Sequence, residues 1–124
     1  MEGFTFDTGA LIALERRSQR MTKVLRLAEE REISITLPTP VLAEWWREHG
    51  RKGERILAGM TIAPLTEHLA KLAGDALKAV PTATTIDAIV MASAAQRGDI
   101  VYTSDVDDLE ALRAFFPSVR VLHV

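Results

Sequence analysis

Short β-type runs alternate with helical patterns along this chain, and that alternation limits its fold more than any other feature. Gly3 to Phe6 reads as a strand, and Thr8 to about Glu15 as a short helix. Arg20 to Arg31 is a second helix, in which Met21, Val24, Leu25, Leu27 and Ala28 form an apolar stripe between charges. Ile33 to Leu37 reads as a buried strand. Thr39 as N-cap and Pro40 at the first helical position then open a helix to about His49, ended by Gly50. A short helix at about Gly53 to Ala58 leads to Gly59 and a strand at Thr61 to Leu65. Thr66-Glu67 starts a longer helix through Val80, which Pro81 separates from the next; Thr84-Thr85-Ile86-Asp87 opens that one, and it runs to Gln96. Ile100 to Thr103, Val106 to Phe116 and Val119 to Val124 follow as strand, helix and strand. Strands separated by helices join through crossovers. The pattern therefore predicts an α/β three-layer sandwich, with a central, mostly parallel five-stranded sheet flanked by helices.

A length of 124 residues suits one domain spanning 1–124. The absence of cysteine removes disulfides and thiolate metal sites. There is no basic leader, and the apolar run Gly9 to Leu14 is too short for a signal core or a membrane span, so a cytoplasmic protein without membrane contact is expected. A formal charge of −2 does not advertise nucleic-acid binding, yet it permits an acidic site beside basic patches.

The segment FTFDTGALIAL, residues 4 to 14, contains the Asp-Thr-Gly triplet of aspartic proteases. Those enzymes are β-rich, and this chain has too many helices and no Gly-rich flap hairpin. A parallel sheet instead binds ligands at the carboxyl ends of its strands, beside helix N-termini. Four acids fall there. Asp7 ends the first strand, Glu44 sits one turn into the helix after the second, Asp87 lies in the first turn of the helix opened by Thr84, and Asp105 follows Tyr102-Thr103-Ser104. Each has a plain structural reading as well. Asp7 and Asp105 suit N-caps, Asp87 suits a capping box with Thr84, and Glu44 suits a solvated helix face. Asp7 and Asp87 nevertheless stand among apolar neighbours, where a lone carboxylate is costly.

Two carboxylates about 4 Å apart repel by roughly 4 kcal/mol at an effective dielectric near 20. A helix N-terminus offsets only about 0.3–1 kcal/mol per acid. A converged cluster must therefore hold protons or a cation. With histidine only at the scattered positions His49, His68 and His123, the available ligands are oxygens, which suits Mg²⁺ or Mn²⁺ and in-line phosphoryl displacement by a metal-activated water.

FTFDTGALIAL, TPVLAEWWR, TTIDAIVMASAAQRGDIVYTSD and DVDDLEAL resemble, in order and spacing, the motifs of PIN domains, and among them the VapC-type toxins of toxin–antitoxin pairs. The resemblance implies a PIN-like parallel sheet and Mg²⁺- or Mn²⁺-dependent endoribonuclease activity. It implies catalytic acids at Asp7, Glu44, Asp87 and Asp105, of which Asp7, Asp87 and Asp105 serve the metal. Glu44 would orient the attacking water or a second ion. Thr103 and Asp108 match supporting positions. A cognate antitoxin, an RNA substrate and a homodimer are the implied partners.

Trp45-Trp46 departs from the small aliphatic residues commoner after the second acid. Their directions differ by about 100° on a helix, so the plain reading buries one and half-exposes the other, while the functional one places a ring in an interface. Basic residues form two groups, Arg16-Arg17-Arg20-Lys23-Arg26 and Arg47-Arg51-Lys52-Arg55. Both suit solvated helix faces, and in the second Arg47, Arg51 and Lys52 are candidate RNA-phosphate contacts. Two rival functions remain: a non-catalytic PIN-fold module that binds RNA or protein, and a phosphoacceptor receiver. The receiver lacks its adjacent acids after the first strand and its lysine after the last.

Overall fold

Phe4-Thr5-Phe6 and Ile35-Thr36-Leu37-Pro38 are buried at every position, on both faces, as central strands of a covered sheet must be. The computed structural model describes residues 2–124, the Lys52 side chain excepted. Its strands are β1 (Phe4–Phe6), β2 (Ile35–Pro38), β3 (Thr61–Ala63), β4 (Ile100–Thr103) and β5 (Arg120–His123). They form one sheet in the order β3-β2-β1-β4-β5, and all four pairings are parallel. The sheet expected to be mostly parallel is wholly so. Exposed strand residues are confined to the edges, Thr61 and Ile62 in β3 and Arg120 and His123 in β5.

The helices are α1 (Thr8–Glu15), α2 (Gln19–Arg31), α3 (Thr39–His49), α4 (Glu54–Leu57), α5 (Glu67–Ala79), α6 (Thr85–Arg97) and α7 (Val106–Leu112), with a 3-10 turn at Gly50–Gly53 before α4. They flank the sheet as a sandwich. Phe6, Leu11, Met21, Leu37, Val41, Trp45, Met91 and Leu109 are fully enclosed between the layers. Among the described residues no helix is long and apolar enough to cross a membrane.

Most other boundaries, β5 among them, shift by a residue from the sequence reading, and four differences have a local reason. Ile33 is not in β2: Glu32 takes a left-handed conformation (φ 54°) and the Ile33 N–H returns to the Ala28 carbonyl, so these residues close α2. Thr39 is not a cap. Pro38 precedes the helix, and the Thr39 hydroxyl accepts the Leu65 N–H at 3.1 Å instead. β3 stops at Ala63 because Pro64 has no N–H to continue the ladder. α7 ends at Leu112 rather than Phe116, as the Phe115 and Phe116 amides both turn back to the Leu112 carbonyl ahead of Pro117.

Candidate acidic active site

The register brings the first acid to a hydroxyl. Phe6 pairs with Tyr102, so Asp7 and Thr103, one residue on in each strand, stand level at the carboxyl edge of the sheet. Thr103 Oγ1 donates to Asp7 Oδ2 and accepts the Asp105 N–H at 2.9 Å. Asp7 Oδ1 accepts the Ala10 N–H at 2.9 Å, so the same carboxylate also caps α1. Glu44 reaches this edge from α3 and accepts the Thr8 hydroxyl. Asp87 stands in the first turn of α6, whose cap is the Thr84 hydroxyl accepting the Asp87 N–H. Asp105 precedes α7 in the cap position but makes no capping bond.

Asp7, Glu44, Asp87 and Asp105 thus line one cavity of about 130 Å³, together with Thr8, Gly9, Ile86 and Ser104. Its electrostatics are those of crowded acids. Burial pushes Asp7 from 3.8 up to about 6, against the lowering effect of the Thr103 and Ala10 bonds, and the charges of Asp87 and Asp105 add to the rise. Asp87 is also raised, first by burial and then by Asp108, Asp105 and Glu44. Asp108 lies in the exposed first turn of α7 and is raised by its hydrogen bond to Asp105. As placed, no three His, Asp or Glu side chains among the described residues converge closely enough to hold one ion. The donor set itself is hard carboxylate oxygen, which fits Mg²⁺ or Mn²⁺.

The other expected residues divide. Arg47 and Arg51 are exposed and do not line the cavity, and the Lys52 side chain lies outside the described residues. Trp45 is buried and Trp46 half-buried, as the plain reading of the pair had it. Trp46 borders a separate apolar groove of about 680 Å³ with Leu42, Leu57 and Ile62.

Three features escaped the sequence reading. Thr8 holds Glu44 by its hydroxyl, yet reads as an ordinary first helical residue. Gly9 permits the β4–α7 loop to approach α1, since a Cβ there would lie 2.0 Å from Ser104 Oγ. Asp99 is a buried acid at the opposite edge of the sheet, where it accepts from Gly3 N, Thr5 Oγ1 and Arg97 Nε. Arg97 two residues before an acid that enters a strand was the available signal for that pair.

The fold has relatives. A chain of DNA-bound VapBC from Salmonella typhimurium superimposes with a TM-score of 0.78 at 16% identity, over 99% of this chain and 98% of that one. A chain of a toxin–antitoxin complex from Klebsiella pneumoniae gives 0.73 at 20% identity, over 94% and 95% respectively. FitAB bound to an IR36 DNA fragment gives 0.69 at 21%, over 97% and 94%. Comparison with curated protein sequences gives no significant match. The profile of the PIN domain matches residues 4–114, the span that holds all four cavity acids. With that profile over most of its length and the acids gathered at one sheet edge, the chain belongs to the PIN domain family.

Proposed function

We propose that this PIN domain is a metal-dependent endoribonuclease, the toxin of a toxin–antitoxin pair. The observation that carries the reading is the convergence of four acids, from four separate segments, on one cavity at the carboxyl edge of the sheet. Nothing in local helix capping requires that convergence. Asp7, Asp87 and Asp105 would hold Mg²⁺ or Mn²⁺, with Asp108 adding negative charge beside Asp105. When bound, the ion supplies a Lewis acid that lowers the pKa of water and screens the scissile phosphate.

The chain's own groups do the rest. Thr103 fixes the Asp7 carboxylate by its hydroxyl. Glu44, positioned by Thr8, orients the attacking water and accepts its proton. Arg47 and Arg51, with Lys52, draw RNA phosphates toward an edge that would otherwise repel them. The groove bordered by Trp46, Leu42, Leu57 and Ile62, near the exposed Leu65, offers the antitoxin an apolar surface. The Klebsiella pneumoniae relative supports this partner, being a chain of a toxin–antitoxin complex itself.

The test is cleavage of an end-labelled RNA by purified protein with Mg²⁺. EDTA should stop the reaction and excess Mg²⁺ should restart it. Cleavage indifferent to EDTA, or none under any divalent ion, contradicts the proposal. The second reading is a non-catalytic PIN-fold module that binds RNA or protein. It expects RNA to be retained uncut.

A further inference from the structure

α1 and α3 lie side by side, and α3 is tied to both ends of α1. At the acidic edge the Thr8 hydroxyl donates to Glu44. At the far end Glu15, the last residue of α1, meets His49, the last residue of α3. The surroundings of His49 decide its protonation state. Nδ1 faces the Trp45 carbonyl at 2.8 Å, and Nε2 faces the Glu15 carboxylate. Both partners are acceptors, so both bonds exist only if both ring nitrogens carry hydrogen. Either neutral tautomer sets a lone pair against an oxygen. The imidazolium is the form that fits.

The ring also lies flat on Trp45, with centroids 4.5 Å apart and planes 12° from parallel, which places a cation over an indole face. Trp45 is held in turn by the 3-10 turn, because a Cβ at Gly53 would come within 2.3 Å of its six-membered ring. The charges that act on His49 are Glu15 from α1 and Glu48 from α3 itself. Arg51 of the turn and Glu54 and Arg55 of α4 are exposed, and among the described residues Glu15 alone pairs with the ring. His49 accordingly titrates above the usual histidine range, chiefly through the Trp45 carbonyl and then through Glu15.

Resting on the nuclease reading above, we propose that Glu15 and His49 are positioning residues, an imidazolium clamp that locks α3 to α1 and so fixes Glu44 beside Asp7. Neither residue lines the acidic cavity. His49 lies five positions beyond Glu44, roughly 7.5 Å along the helix axis. A release at the end of α3 is therefore felt at Glu44, under two turns back.

The experiment has two arms. In the first, NMR of labelled histidine follows His49 in the wild type and in Glu15→Gln. The wild-type midpoint should lie above 6.5 and fall in the variant. A midpoint at or below 6.5, or one unmoved by Glu15→Gln, overturns the clamp. In the second, the ratio of wild-type to His49→Gln kcat for RNA cleavage is measured against pH. It should be several-fold below the His49 midpoint and approach one above it, because neutral His49 cannot make both bonds, with KM for RNA unchanged. Far-UV circular dichroism checks each fold first, and Glu15→Gln carries the same ratio test if His49→Gln does not fold. A clamp that titrates as stated beside a flat ratio overturns the positioning role alone. Absence of cleavage by the wild type at every pH overturns the nuclease reading, and the positioning role with it.

Discussion

Asp7 serves two structures at once, capping α1 through Oδ1 and meeting Thr103 through Oδ2, while burial opposes its charge. A carboxylate whose folded pKa is raised contributes stability fully below its unfolded value and loses it as pH climbs through the folded one. The metal-free protein is therefore expected to lose stability as pH rises from 3.8 to about 6. The loss traceable to Asp7 is on the order of 3 kcal/mol. Asp7→Asn keeps the side-chain shape and the capping oxygen, so in EDTA it should melt higher than the wild type at neutral pH and show a flatter pH dependence. A lower melting temperature for Asp7→Asn at neutral pH contradicts this. Thr103→Val removes a hydrogen bond that holds Asp7 down, and should push its titration higher still, as followed by carboxyl-carbon NMR. Asp7, Glu44, Asp87 and Asp105 were legible in the sequence because each sits at a strand end or in the first turns of a helix. Thr8 and Asp99 were not, because their partners lie 36 and up to 96 residues away and no local pattern announces them.

The short α1 depends on close approach at its start and on α3 along its side. Gly9→Ala would drive a methyl into Ser104, next to Asp105, at an expected cost of about 1–3 kcal/mol. Cleavage should suffer more than melting, and Ser104→Gly in the same chain should recover part of both. A Gly9→Ala protein that melts and cleaves as the wild type would show that this contact does not set the loop. Helices with a hydroxyl cap, such as the amphipathic α5 with Thr66 and the enclosed α6 with Thr84, could be placed from sequence to within a residue or two. Ends set by tertiary partners could not. Thr39 looks like a cap until the segment after β3 supplies Leu65, and the end of α7 depends on how Phe116 enters the core.

The order of the strands was beyond the sequence reading, which supplied five strands and their parallel sense but not β3-β2-β1-β4-β5. That order puts β1 and β4 together at the centre, and with them Asp7 and Thr103. The acids then share a cavity whose charge is unfavourable without a cation. Millimolar Mg²⁺ or Mn²⁺ should therefore raise the melting temperature through linkage, by about 2.7 kcal/mol of stability at a hundredfold excess over Kd. Asp87→Asn should diminish that gain, and a melting curve indifferent to both ions would count against the site. Light scattering on the isolated protein tests the homodimer that the family resemblance implies, which a monomer at micromolar concentration would contradict. In cells, expression without an antitoxin should slow growth, and expression of Asp7→Asn should not. The most direct measurement is the rate of RNA cleavage in Mg²⁺ by the wild type, Asp7→Asn and Asp87→Asn, each shown to be folded. We expect cleavage by the wild type and its loss in both variants. Equal rates in all three would contradict the assignment, because the cutting would then owe nothing to the acidic cavity.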